Sequence, residues 1–339
     1  MLPLVFYRIA DVLMILAHSV KHPGFLPVPI NPGESVPADA IWLDLVHPTP
    51  DEDQRVEKLT GKSIPTREEM AEIEESSRFY SEDGALYLTM PVLHGAATPE
   101  PALDPIVFIL AGNRLISVRY SEPSPFKHFR ARISKQDVPP ADGLDVLVGL
   151  CESITDRIAD LLENIAMRLD TESRRLFAQK GAKSQSASPV FRDALRLIGA
   201  EGEFLSMVRE SLSGLARLLV FLKMNNKNAV KRAKIARAID GIERDVQSLT
   251  AHSGYLSERT VFLLDAVVGL VSVEQNAIIK IFSVAAVVFM PPTLVASVYG
   301  MNFRHMPELE WLAGYPFAIG MMILAAVLPL AFFRYKGWL

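Results

Sequence analysis

The chain has one cysteine, Cys151, in 339 residues. That excludes a disulfide framework and fits a reducing compartment. The thiol reads as a small residue on a helix rather than a nucleophile. No glycine-rich phosphate loop is visible, which argues against a nucleotide-driven pump. No spacing pairs a nucleophile with a base or gathers zinc ligands, so neither an enzyme nor a resident cofactor is expected. A net charge of only −4 gives no footprint for nucleic acid. The apolar stretch from Leu4 to Leu16 is broken by Arg8 and Asp11 and lacks a basic leader, so it is not read as a signal peptide. Charge itself is missing from two long runs, Ile281 to Phe303 and Trp311 to Phe333.

Each of those runs is long enough to cross a hydrocarbon core of roughly 30 Å, which takes about 20 helical residues. Two membrane spans are therefore expected, at 281–303 and 311–333, joined by a polar loop at 304–310. Lys280 precedes the first span, and Arg334 and Lys336 follow the second in a basic tail at 334–339. Positive charge on the side of both termini places both in the cytoplasm.

The preceding residues are mostly charged and soluble in character. Residues 1–140 read as a mixed α/β domain. Ala40 to Leu45 is a short apolar strand, and Thr49 caps a helix whose first turn holds Asp51, Glu52 and Asp53. Pro65-Thr66 opens a second acidic helix expected to run through Glu75. Ala85 to Pro91 is a strand. Ile106–Leu110 and Leu115–Val118 form a hairpin closed through Gly112-Asn113. The acidic helices read as solvated faces rather than metal sites.

Residues 141–227 read as an antiparallel helical pair, from Leu147, Leu150, Ile154, Ile158, Leu161, Ile165 and Leu169 at helical spacing. A stalk helix follows over 228–280 and continues into the first span without a proline before Pro291. Its length, about 90 Å at 1.5 Å per residue, calls for neighbours of its own kind, hence an oligomer on a shared axis. Lys231, Arg232, Lys234 and Arg237 near its start read as a solvated face or an ion-pair surface between subunits.

On the first span, Ser297, Thr293, Met290, Ala286, Ser283, Ile279, Gln275, Ser272 and Asp265 share one face within roughly 40°, with Phe282 on its border. The stripe is either a packing face or a pore wall. Pro291-Pro292 leaves carbonyls near Val287 and Val288 without helical donors, which only water or protein makes tolerable. Asn302 ends the wall. A ring of such amides would accept hydrogen bonds from the waters of Mg²⁺, an ion that dehydrates reluctantly.

The segments Ile279–Val284, Phe289–Ser297, Tyr299-Gly300-Met301-Asn302-Phe303 and Met306-Pro307-Glu308-Leu309, with Glu274-Gln275-Asn276 and the terminal Gly337-Trp338-Leu339, resemble the CorA family of magnesium transporters, in particular its enterobacterial type. The likeness implies a funnel-shaped homopentamer in the inner membrane, with the α/β domains in the cytoplasm, the first span lining the pore and the second facing lipid. It implies a selectivity filter at Gly300, Met301 and Asn302, and a pore lined by Ser297, Thr293, Met290, Ala286, Phe282 and Ile279. At the inner mouth it implies Asp265 with a basic collar of Lys280, Arg334 and Lys336. Glu308 and Glu310 are left at the outer rim, offsetting Arg304, which stands where relatives commonly carry an acid. Co²⁺ and Ni²⁺ are related cargoes, and cytoplasmic Mg²⁺ is a regulatory ligand, for which Asp240, Glu243 and Asp245 are the weakly matched candidates. A zinc transporter of the same superfamily is disfavoured by Met301. A membrane-anchored sensor or scaffold that carries nothing is the remaining alternative.

Overall fold

In the computed structural model, the described residues are 14–19, 25–31, 33–72, 74–98, 100–135, 138–178, 187–227, 231–302, 306–307 and 310–337. The chain divides into two compact units, one of residues 1–178 with 196–262 and one of 179–195 with 263–339.

The first unit is built on a seven-stranded sheet. Its strands are β1 (Met14–Ser19), β2 (Val28–Ile30), β3 (Ala40–Val46), β4 (Phe79–Glu82), β5 (Ala85–His94), β6 (Ala102–Ala111) and β7 (Arg114–Arg119). Their order is β2-β1-β3-β7-β6-β5-β4. Every pairing is antiparallel except β3 with β7, where Leu43 stands opposite Ile116. The β6–β7 hairpin turns on Gly112 at φ 60°, the left-handed first position that glycine adopts without steric cost.

Strand side chains alternate between faces. Leu43, Leu45, Val107, Ile109, Ile116 and Val118 face one side, where Val56 of α1 (Pro50–Thr60) and Met70 of α2 (Arg67–Met70) cover them. Thr49 and Glu52 close a capping box at the start of α1. A second box, Thr66 with Glu69, opens α2. The acidic helix expected to reach Glu75 stops at Met70, and a separate turn, α3 (Glu75–Arg78), leads into β4. Trp42 and Asp44 face the other side, towards α4 (Ser124–Ile133) and α5 (Gly143–Ala178).

On that side Asp44 is fully buried among cations. Arg119 grips its carboxylate with Nε and Nη2, both at 3.0 Å, and Arg130 of α4 adds a third contact at 3.3 Å. Trp42 Nε1 donates to Ser117 Oγ, which donates to Asp44 Oδ1, each at 2.8 Å. Burial alone would raise the Asp44 carboxyl. The two guanidiniums and the Ser117 hydroxyl outweigh it and hold the group below the usual carboxylate range.

The α5 helix begins flush against β7. The Gly143 amide donates to the Asn113 carbonyl at 2.7 Å, and a Cβ on Gly143 would lie 2.3 Å from the Leu115 amide nitrogen. Burial pushes the Cys151 thiol up to about 12, so it stays protonated and unreactive at neutral pH.

Beside α5 run α6 (Ala187–Asn225) and the first part of α7 (Ala233–Tyr299). Arg168 meets Glu201 in a two-point pair at 2.5 and 2.8 Å, joining α5 to α6. Arg232 bridges Asp142 and Asp145 at 2.7 and 2.8 Å, and Arg259 pairs with Asp170, joining α7 to the start and the later turns of α5.

The second unit contains the remainder of α7 and α8 (Gly314–Tyr335). Both helices are long and apolar enough to cross a membrane, and little of either apolar window is buried. Gly314 and Ala318 form the buried patch of α8, small residues that allow a neighbouring helix close approach. Tyr315 and Tyr335, both exposed, lie about 30 Å apart along α8 at 1.5 Å per residue. That separation suits aromatic anchors at the two surfaces of a bilayer.

Candidate functional site

The helical period of α7 separates two faces within the second unit. Val284 and Val288 are buried, and they share a crevice with Leu330 of α8. Counted from Ser297, they lie at roughly 140° and 180°, so the face towards α8 is opposite the polar stripe. Every stripe residue, Asp265, Ser272, Gln275, Ile279, Ser283, Ala286, Met290, Thr293 and Ser297, is exposed, as is Phe282 at its border. Met290 and Phe282 are 69% and 71% exposed, high values for large apolar side chains on a helix that already has a neighbour. The stripe is therefore a face that the rest of the chain leaves uncovered.

The prolines do not break α7, which stays helical through Pro291 and Pro292 to Tyr299. Neither donates, so the carbonyls of Val287 and Val288 lack helical partners. Thr293 Oγ1 turns back to donate to the Phe289 carbonyl at 2.7 Å. The helix then closes down. Gly300 donates to the Ala296 carbonyl at 3.0 Å and Met301 to that of Val298 at 3.3 Å. A Cβ on Gly300 would meet the Ala296 oxygen at 3.1 Å, a tight contact that the turn would have to relieve by a few tenths of an ångström. Asn302 follows in irregular backbone with its side chain exposed. The expected first span thus ends its helix at Tyr299, with Gly300, Met301 and Asn302 forming the turn beyond it.

At the opposite end of the unit, Lys280 lines the crevice beside Val284, while Arg334 lies in the last turn of α8 and Lys336 at its C-cap. Glu310 is exposed, just ahead of α8. Glu308 and Arg304 lie outside the described residues.

In the first unit, Asp240 and Glu243 come together on one side of α7, where Lys223 of α6 reaches both carboxylates at 3.0 and 2.9 Å. Asp245 is not with them; at 100° per residue it sits about 140° round the helix. Among the described residues no three His, Cys, Asp or Glu side chains converge on a metal position. The buried Asp44 centre escaped the sequence reading. Its one local signal is a lone carboxylate inside the apolar strand AIWLDLV.

The comparisons with known proteins converge. Residues 37–335 match the family model described as CorA-like Mg2+ transporter protein. The chain belongs to the CorA family. It is 37% identical over 307 residues to the magnesium transport protein CorA of Escherichia coli K12, covering 90% of this chain and 94% of that one. The complete CorA magnesium transporter of Methanocaldococcus jannaschii superposes with a TM-score of 0.73 at 17% identity, covering 98% of this chain and all of the other. The ZntB cytoplasmic domain of Vibrio parahaemolyticus shares the fold of the soluble part, with a TM-score of 0.57 at 12% identity over 77% of this chain. The fold of the soluble part is thus shared with both a CorA protein and a ZntB domain.

Proposed function

We infer that this chain carries hydrated Mg²⁺ passively into the cell, driven by membrane potential, through a pore that several copies build from the exposed stripe of α7. The observation carrying this reading is the exposed stripe of α7, on the face opposite α8, with Gly300, Met301 and Asn302 in the turn directly after that helix. The copies form a homopentamer in the inner membrane, with both termini cytoplasmic as Lys280, Arg334 and Lys336 indicate. Ser297 and Thr293 offer hydroxyls to the ion's water shell, and Met290, Ala286, Phe282 and Ile279 form an apolar neck that gates by drying. Asp265 with Lys280, Arg334 and Lys336 sets the charge at the inner mouth, and Glu308 and Glu310 concentrate cations at the outer rim. Co²⁺ and Ni²⁺, with similar octahedral water shells, share the route. The test is uptake by proteoliposomes loaded with a Mg²⁺-sensitive dye, under an imposed inside-negative potential. Zn²⁺ flux without Mg²⁺ flux would favour the zinc-transporter alternative, and no flux at all a scaffold.

Cytoplasmic Mg²⁺ closes this pore by binding carboxylates between subunits. Within one chain Lys223 pairs with both Asp240 and Glu243, one cation between two carboxylates. A divalent ion would act there with further ligands from a neighbour, and Asp245, on another side of α7, would serve the adjoining copy. Neutralising Asp240, Glu243 and Asp245 together is expected to leave uptake running when internal Mg²⁺ is high, and to remove Mg²⁺ protection against proteolysis. Shut-off and protection that both survive would move the sensing carboxylates elsewhere.

A further inference from the structure

The first unit buries a histidine that plays no part in the proposed ion route. His18 lies on β1, between β2, which ends the sheet order, and β3. It is 0% exposed, its ring stacks on Trp42 of β3 with centroids 4.2 Å apart, and Phe25 tilts against it at 5.2 Å. Nδ1 donates to the Phe25 carbonyl at 3.1 Å, which fixes the neutral ring with its proton on that nitrogen. Phe25 offers the carbonyl from a φ of 55°, left-handed backbone that a bulky side chain rarely adopts. Nε2 is buried too, and no hydrogen-bond partner reaches it among the described residues. The charged groups that face the ring are Asp44 of β3, Arg119 of β7 and Arg130 of α4. Asp44 already serves both guanidiniums, so an imidazolium would be a third cation on one carboxylate. Burial is the largest obstacle to that charge. The Phe25 carbonyl and Asp44 offset part of it, the two arginines add to it, and His18 is pushed down to about 4.

We propose that His18 is an acid latch at the edge of the sheet, taking up a proton only when β1 and β2 part from β3, so that acid opens this edge and uncovers Trp42 and Asp44. Two features make this edge the part that yields. β2 is three residues long, and the β1–β3 register shifts between His18 and Ser19. Above about pH 6.5, where a solvated histidine titrates, the ring is neutral in both states and pH has no leverage. Below that the opened strand binds a proton and the closed one does not, so closure is progressively disfavoured as pH falls towards about 4. Asp44 is held below the usual carboxylate range and stays ionised through most of this window. The latch lies outside the ion route and works whether or not the chain carries Mg²⁺.

The test is hydrogen exchange of the full chain in mild detergent at about pH 7.5 and about pH 5, read by mass spectrometry on peptides covering Met14–Ser19. Dividing each rate by the intrinsic chemical rate at its pH gives the opening constant of β1. In the wild type that constant should rise about 30-fold between the two conditions, as a ring titrating near 6.5 when open and at about 4 when closed requires. His18→Phe keeps an aromatic ring against Trp42 but has no site for the proton, and its constant should change less than about two-fold. His18→Gln, polar and without a titration of its own, is the second variant should the first not fold. A wild-type opening constant that ignores pH overturns the proposal, and so does an equally steep rise in a folded variant. An equal rise in peptides of β6 overturns it too, because the whole sheet would then be yielding rather than its edge.

Discussion

Asn302→Ala is expected to bring Mg²⁺ uptake down to the background of empty liposomes, while the oligomer still assembles and elutes as the wild type does. The side chain follows the last helical residue, Tyr299, and is exposed, so its removal costs the fold little. Its amide oxygen accepts hydrogen bonds but carries no net charge. Mg²⁺ holds its waters in a near-ideal octahedron and gives them up slowly. A neutral acceptor ring recognises that shell without stripping it, and the carbonyl end of α7, where the helix dipole is negative, adds modest attraction. Alanine removes the acceptor and leaves the dipole, which cannot distinguish one cation from another. Asn302→Asp should instead bind the ion more strongly and release it more slowly, lowering maximal flux. Wild-type flux from the alanine variant at normal membrane abundance would refute the assignment of the mouth.

Asp44→Ala is expected to destabilise the first unit by about 3–5 kcal/mol, the cost of breaking a buried ion pair from one side. Arg119 is only 3% exposed at its side chain, and its partner Asp44 is wholly enclosed. Removing the carboxylate leaves the buried Arg119 and the partly buried Arg130 facing each other, with the Ser117 hydroxyl lacking its acceptor. In a domain of this size each kcal/mol shifts the thermal midpoint by about 2–4 °C, so the transition should fall by roughly 10 °C. The pH dependence has a definite sign. The folded carboxyl lies below its unfolded value, so its contribution is complete above about pH 4 and disappears as acid protonates it in the folded state. Asp44→Asn should lose that acid-sensitive component while keeping the shape of the site. An unchanged thermal transition in Asp44→Ala would show that the guanidiniums find other partners.

What the sequence revealed and what it hid follow from how far each signal reaches. Thr49 announces α1 because its capping partner, Glu52, is three residues away, and Gly112-Asn113 announces a hairpin for the same local reason. The uncharged runs mark the spans because a membrane requires length. They do not mark helix ends: Trp311, Leu312 and Ala313 are apolar enough for the span but precede the first helical residue, Gly314. The stop of α2 at Met70 was equally hidden, since the acidic composition continues past it. The parallel pairing of β3 with β7 joins segments about 70 residues apart, and nothing in either strand names the other. The Asp44 centre depends on that pairing, because Ser117 and Arg119 reach the carboxylate only once β7 lies beside β3. The exposed stripe of α7 was legible for the opposite reason. Its residues lie on one helix, so a single angular count collects them.

Gly143 has little freedom to vary. Its missing side chain lets α5 start against the first residues of β7, where any Cβ would fall on backbone atoms that have no room to give. In a selection for growth on low magnesium, a substitution there would score as severely as one at Asn302. The two losses would have different causes, a domain that fails to assemble and a mouth that fails to recognise its ion. A position can thus be as intolerant of substitution as the proposed filter without ever meeting the cargo, and the amount of protein in the membrane tells the two kinds of residue apart.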